Sequence, residues 1–188
     1  MKTGTVIFIV VIAIILLIGI YIASTYNKLI KSRNSVDEAF ATMDVYLKKR
    51  WDLIPNIVAT VKGYAKHEAE TLEKVIAARN NGYSSLNPQQ KLEANAELNT
   101  AIKSLNVVAE QYPDLKANQN FSELNAQLKK TEEDIANARK YYNAVVKAYT
   151  NLTQMFPSSI IASMFRFEKR EMFVVEDSAQ REAVKVEF

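Results

Sequence analysis

The one histidine of this 188-residue chain, His67, opens the segment HEAET, which begins like the zinc-protease motif H-E-x-x-H. That motif works because two imidazoles one helical turn apart grip a zinc ion from one helix face. Here Thr71 holds the second ligand position, and no other histidine and no cysteine is present to replace it. The same shortage leaves any serine nucleophile without a histidine base other than His67, and there is no G-x-S-x-G turn and no phosphate-cradling loop. The acidic run Glu132, Glu133, Asp134 lacks the E-x-x-H partners of a di-metal carboxylate bundle and reads as a solvated helix face. The expectation is a protein that is not an enzyme, with no catalytic residues, no cofactor and no metal. Without cysteine, the chain is also indifferent to the redox state of its compartment.

The remaining charged chemistry lies along helical stripes. Steps of three and four from Ile30 pass through Arg33, Asp37, Phe40, Asp44, Leu47, Trp51, Ile54, Val58, Val61, Ala65, Glu68, Leu72, Val75 and Arg79 without a slip. Arg33, Asp37, Asp44, Glu68 and Arg79 therefore interrupt an apolar line, and Arg139 lies beside the seam of a later helix. Buried charges of opposite sign can fix the register of long helices that would otherwise slide. A ligand site could use the same charges, but a bundle stripe is wide and helices rotate from their ideal positions, which favours registry or an exposed edge. Pro55 falls on this first helix four residues after Trp51, the only tryptophan. Lacking an N–H, it deprives the Trp51 carbonyl of its helix bond, so a bend is expected there, with the indole filling the space opened.

These residues need long helices to place them. The first runs over 30–79, about fifty residues and about 75 Å at about 1.5 Å per residue. It ends at NNGYSSLNP, where Asn80, Asn81 and Gly82 supply left-handed backbone and Asn87-Pro88 supplies a cap and a first-turn proline. The second helix covers 88–112, stopped by Pro113. PDLKANQ can then run extended for about 20 Å at about 3.3 Å per residue, and Asn120 with Glu123 marks the next helix start. The third helix carries the most regular stripe: Phe121, Leu124, Leu128, Thr131, Ile135, Ala138, Tyr142, Val145, Tyr149, Leu152 and Phe156, stopped by Pro157. A short amphipathic fourth helix follows, with Ile160, Ile161, Met164 and Phe165 on one face, serving either as a cover for the core or as a membrane-surface or partner-binding helix. The ending VKVEF alternates like a strand or lies extended.

Ahead of all this stands VIFIVVIAIILLIGIYIA at 6–23, free of charge and about 27 Å long at about 1.5 Å per residue, enough for the hydrocarbon of a bilayer. Bulky Tyr21 and Ile22 stand where a signal-peptide cleavage site would need small residues, so an uncleaved anchor is expected. Gly19 and Ala23 make a small-xxx-small pair, a spacing that also arises by chance on lipid-facing helices. Lys28, Lys31 and Arg33 flank the span and suit anionic headgroups, while Lys2 is the only basic side chain before it. The bias favours an outside N-terminus and a cytoplasmic domain, although long domains can cross a membrane regardless of nearby charge. The expected class is all-α: an N-terminal transmembrane helix (1–27), a long antiparallel helical bundle of three long helices plus a short fourth (28–170), and an extended C-terminal tail (171–188). Basic residues gathered beside the span, without aromatic interleaving, argue against nucleic acid.

DLIPN at 52–56, VKGYA at 61–65, YPDLKAN at 112–118 and ARKYYN at 138–143 closely resemble the LemA family of bacterial membrane proteins, and the likeness covers nearly the whole chain. The resemblance implies a single N-terminal anchor in the cytoplasmic membrane, a helical bundle, an outside N-terminus and no established enzymatic activity. It also implies gene neighbours that encode membrane metalloproteases. The chain departs from the family pattern at Arg166-Phe167, where Gly-Phe is expected, and at Ala183, where proline is expected. Two functions remain in view. One is a membrane-anchored scaffold or interaction protein that holds protein partners or assembles as a homo-oligomer; the other is an accessory or client-adaptor subunit of a membrane protease in envelope quality control.

Overall fold

The computed structural model describes residues 2–65, 67–79 and 82–173, and every regular element among them is helical. In chain order these are α1 (Lys2–Tyr64), α2 (Ala69–Arg79), a 3-10 turn (Tyr83–Ser85), α3 (Pro88–Gln111), α4 (Pro113–Lys116), α5 (Gln119–Gln154) and α6 (Ser158–Met164). They divide into two compact units: Asp37–Tyr141, and the described residues up to Val36 together with those from Tyr142 on.

Within the Asp37–Tyr141 unit, α1 buries Leu47, Trp51, Ile54, Val58 and Val61 at alternating steps of four and three. The helix continues through Pro55. One missing hydrogen bond is offset by the apolar residues buried on both sides of it, Ile54, Ile57 and Val58. The single helix expected over 30–79 is nevertheless divided, because α1 ends at Tyr64 and α2 begins at Ala69. Gly63, a poor helix former, precedes the break, and the carbonyl of Glu68 accepts the Leu72 N–H at 3.1 Å to open the next helix. The stripe outlives the ladder, since Ala65, Leu72 and Val75 are all buried.

The connection to α3 also differs from expectation. Gly82 has φ −40°, not a left-handed value, and Asn80 and Asn81 lie outside the described residues. The chain turns instead through the 3-10 segment, closed by Ser85 N–H to Gly82 O at 3.0 Å, with the Tyr83 hydroxyl donating to Asp44 Oδ1 at 2.6 Å. Asn87 caps α3 as the sequence predicts: its Oδ1 accepts the Gln90 N–H at 2.9 Å, and Gln90 Oε1 accepts the Asn87 N–H at 3.0 Å.

Residues 113–119 do not run extended. Pro113, preset for a first helical position, begins α4, whose Leu115 is fully buried. The cap of α5 is Asn118 rather than Asn120, its Oδ1 accepting the Phe121 N–H at 3.0 Å. Ile57, Ile102, Leu105, Phe121 and Leu128 then close around a gap of only about 10 Å³, at the lower limit for a single water. α1, α3 and α5 thus meet in a dense apolar contact.

The other unit contains the start of α1, where the residues of the apolar run are exposed from Val6 to Tyr21 and the helix is long and apolar enough to cross a membrane. Beyond it, Leu29, Ile161 and Ala162 form a buried cluster, with Ile22, Tyr26, Leu152 and Phe167 packed against it. α6 therefore turns Ile161 and Ala162 inward, whereas Ile160, Met164 and Phe165 are exposed; these four apolar positions, expected on one face, are split. Phe156, expected on the α5 stripe, is 80% exposed because α5 ends at Gln154.

After α6 the backbone leaves helical geometry at Arg166, whose φ of 58° is the left-handed value glycine adopts without cost. This is the position where the family resemblance led to glycine. Residues 167–173 have no regular structure and are held to α5 by side chains. Tyr149 and Tyr142 donate to the carbonyls of Glu168 and Glu171 at 2.9 and 3.0 Å, and Asn143 exchanges two bonds with the Phe173 backbone at 2.7 and 2.9 Å. The ending VKVEF and Ala183 lie outside the described residues.

Candidate functional site

The strongest polar assembly is centred on Arg50, which is 1% exposed. In sequence it counts among the cations following the anchor, a position that suggests solvent. Its place on α1 is one residue before Trp51, so the turn that buries the indole buries the guanidinium with it. From α3, the Asn95 carbonyl and Oδ1 accept from Nη2 at 3.0 and 2.5 Å, and Asn99 Oδ1 accepts from Nη1. From α5, Glu132 accepts from Nη1 at 2.9 and 3.2 Å through its two oxygens. Three helices therefore converge on one cation. Glu132 is drawn out of the expected solvated acidic face, while Glu133 remains exposed.

Arg139 is half-buried near this centre. Burial first, then the neighbouring Arg50 charge, lowers its pKa from the ordinary value, while Glu132 opposes the shift. An arginine keeps its proton even so, which makes this centre a poor acid–base device and a good electrostatic pin.

A second assembly gathers around Tyr83. Asp44 accepts both from the Tyr83 hydroxyl and from Lys91 Nζ, each at 2.6 Å. Trp51 packs on the Tyr83 ring at a centroid distance of 5.1 Å, and the Lys91 ammonium lies 5.0 Å from the same ring centre. Burial, then the bond donated to Asp44 and the charge of that carboxylate, pushes the Tyr83 pKa well above the ordinary tyrosine range. Asp44 and Trp51, seven residues apart on α1, are thus brought to one tyrosine that sequence spacing did not single out. Periodicity marks faces within a helix, whereas Tyr83 reaches them from a turn.

The remaining candidates are not gathered into either assembly. Glu68 Oε1 meets the Tyr112 hydroxyl at 3.4 Å, Pro55 is half-buried within α1, and Arg79 is exposed at the end of α2. In the other unit, Lys28 and Lys31 are exposed and Arg33 lies 5.6 Å from the centre of the Phe167 ring. No cluster of three or more potential metal ligands occurs among the described residues.

Among the described residues the protein is all-helical, with polar side chains that pin helices to one another and a first helix long and apolar enough to fit a membrane anchor. The LemA family model matches residues 39–188, and the chain belongs to that family. It is similar to Protein LemA of Metamycoplasma hominis, 24% identical over 164 residues that take in 85% of this chain and 75% of that protein.

Proposed function

We propose that the protein is a non-enzymatic scaffold or interaction protein, tethered by α1 to the bacterial cytoplasmic membrane, with α1, α3 and α5 as the long helices of a bundle that holds protein partners or further copies of itself. The observation that carries this reading is the exposed apolar run of α1, which leads without a break in the helix into residues that bury a core. A tether fused in this way holds whatever the core binds at a bilayer. The Arg50 centre supports the same reading, because both terminal nitrogens of the guanidinium are spent on helix contacts. The N-terminus lies outside and the domain in the cytoplasm, following the excess of positive charge after the span.

The second reading, an accessory or client-adaptor subunit for a membrane protease, has one observation in its favour. An apolar recess of about 360 Å³ lies between the end of α1 and α2, walled by Val58, Ala65, Ala69, Leu72 and Ile76, and is wide enough for a side chain of an extended segment. Cross-linking in native membranes followed by mass spectrometry separates the two: self-links or links to varied proteins support the scaffold, and reproducible links to a protease support the adaptor. Turnover by the purified protein that disappears when Asp44 and Arg50 are neutralised would overturn both. A reporter fused at Phe188 tests the sidedness.

A further inference from the structure

In the unit that contains the span, apolar exposure and positive charge meet at one level. Ile22 belongs to the apolar run and packs, with Tyr26, against the cluster of Leu29 with Ile161 and Ala162 of α6. The ring of Phe165 lies 4.7 Å from that of Tyr26, and Phe167 lies 5.8 Å from it. Tyr26 is one turn past the end of the run, about 4.5 Å along the axis at about 1.5 Å per residue. With the run in hydrocarbon, α6 is therefore held at the headgroup layer.

At that level the surface departs from what water favours. Phe156 is 80% exposed, Met155 61%, Ile160 60% and Met164 56%. The same unit carries Lys28, Lys31, Arg33, Arg166, Lys169 and Arg170 close in sequence to the end of the apolar run or to α6. Arg33, Arg166, Lys169 and Arg170 line a cavity of about 190 Å³ that Tyr149 and Glu168 also border. Arg166 projects into it from a left-handed backbone that costs an arginine what it would not cost a glycine. Apolar side chains beside converging cations match the two layers of an anionic leaflet, acyl chains below and phosphates above.

We propose that the segment from Met155 to Arg170 is a second membrane contact: the exposed face of α6 enters the headgroup–acyl boundary, and the Arg33–Arg166–Lys169–Arg170 cavity takes the phosphate of an anionic phospholipid. The proposal rests on the anchor reading above and adds to it a dependence on lipid charge that a simple tether lacks.

Because the chain has no cysteine, single cysteines at Ile160 or, separately, at Tyr21 can carry an environment-sensitive dye on the full-length protein. The labelled proteins are reconstituted in vesicles of neutral phosphatidylcholine, with or without phosphatidylglycerol, containing lipids that carry a nitroxide quencher near the glycerol. The Ile160 label is expected to be quenched by the lipid in phosphatidylglycerol vesicles and less so in neutral ones. That difference should be lost in the R166Q/K169Q/R170Q variant, should survive added inorganic phosphate, and should leave the Tyr21 label unaffected. If Tyr21 is quenched while Ile160 is reached only by aqueous iodide, the second contact is wrong and the anchor stands. If neither label is quenched, the anchor reading itself fails. Release by inorganic phosphate alone would mean that the cavity holds a free anion, and protection that appears only at high protein density would mean that the face covers a second copy; either result overturns the proposal.

Discussion

The Asp37–Tyr141 unit and the unit containing the chain ends solve the same problem, holding helices together, by opposite chemistry. The first buries a whole guanidinium and surrounds it with side chains from two other helices. The second builds a small apolar cluster and ties an irregular segment to α5 through tyrosine hydroxyls and an asparagine amide. Directional pairing around a buried charge tolerates one register only, since any slip leaves a desolvated cation uncompensated. Hydroxyls bonded to carbonyls specify less, and they leave large apolar side chains outside. The contrast leaves one unit pinned in a single register and the other with large apolar side chains at its surface.

Removing Arg50 should break that contrast most severely. Arg50→Ala leaves Glu132, Asn95 and Asn99 facing a void and should destabilise by about 3–5 kcal/mol, read as a lowered urea midpoint by circular dichroism. If Arg50→Met combined with Glu132→Leu recovers much of the loss, the network contributes specificity more than stability.

The next effect belongs to Tyr83. Tyr83→Phe removes one bond to a carboxylate that still has Lys91 and should cost about 1.5 kcal/mol. The phenol carries a raised pKa in the folded state. Its contribution is therefore complete below the ordinary tyrosine value of about 10 and is lost as pH rises through the higher folded value. The difference in urea midpoint between wild type and Tyr83→Phe should stay constant from neutral pH to about 9.5 and shrink above about 10. A difference that persists unchanged to pH 12 would contradict the Asp44 contact.

A smaller effect of opposite sign is expected in the other unit. Arg166→Gly relieves the left-handed backbone, offset in part by greater freedom in the unfolded chain, and should raise stability by up to about 1 kcal/mol, seen in thermal melts of the detergent-solubilised protein. Least of all should follow from Lys74→Ala, which removes an exposed pair with Glu70 at 2.7 Å. Although Lys74 lowers the Glu70 pKa, the melting midpoint should not move.

The helical class and the apolar span were legible because periodicity and length act locally. Trp51, Ile54, Leu128, Ile135 and Tyr149 are buried where their stripes put them. What escaped depended on partners distant in sequence. Nothing in LKKRW distinguishes Arg50 from Lys48 or Lys49 except the step to Trp51, and its ligands come from α3 and α5. The division between α1 and α2 was hidden for a related reason: the apolar rhythm persists through Ala65 to Leu72 although the backbone ladder does not. Likewise, Leu115 draws residues 113–116 into a helical turn that their composition alone left extended.

Four bonds that fasten residues 168–173 reach peptide groups: the carbonyls of Glu168 and Glu171 and both backbone groups of Phe173. Every residue type except proline offers those groups. These four bonds do not depend on the side chains of Lys169 and Met172, so at those two positions the segment works as an exchangeable label strip. Mutation or engineering can thus change what those positions present without first having to solve a folding problem.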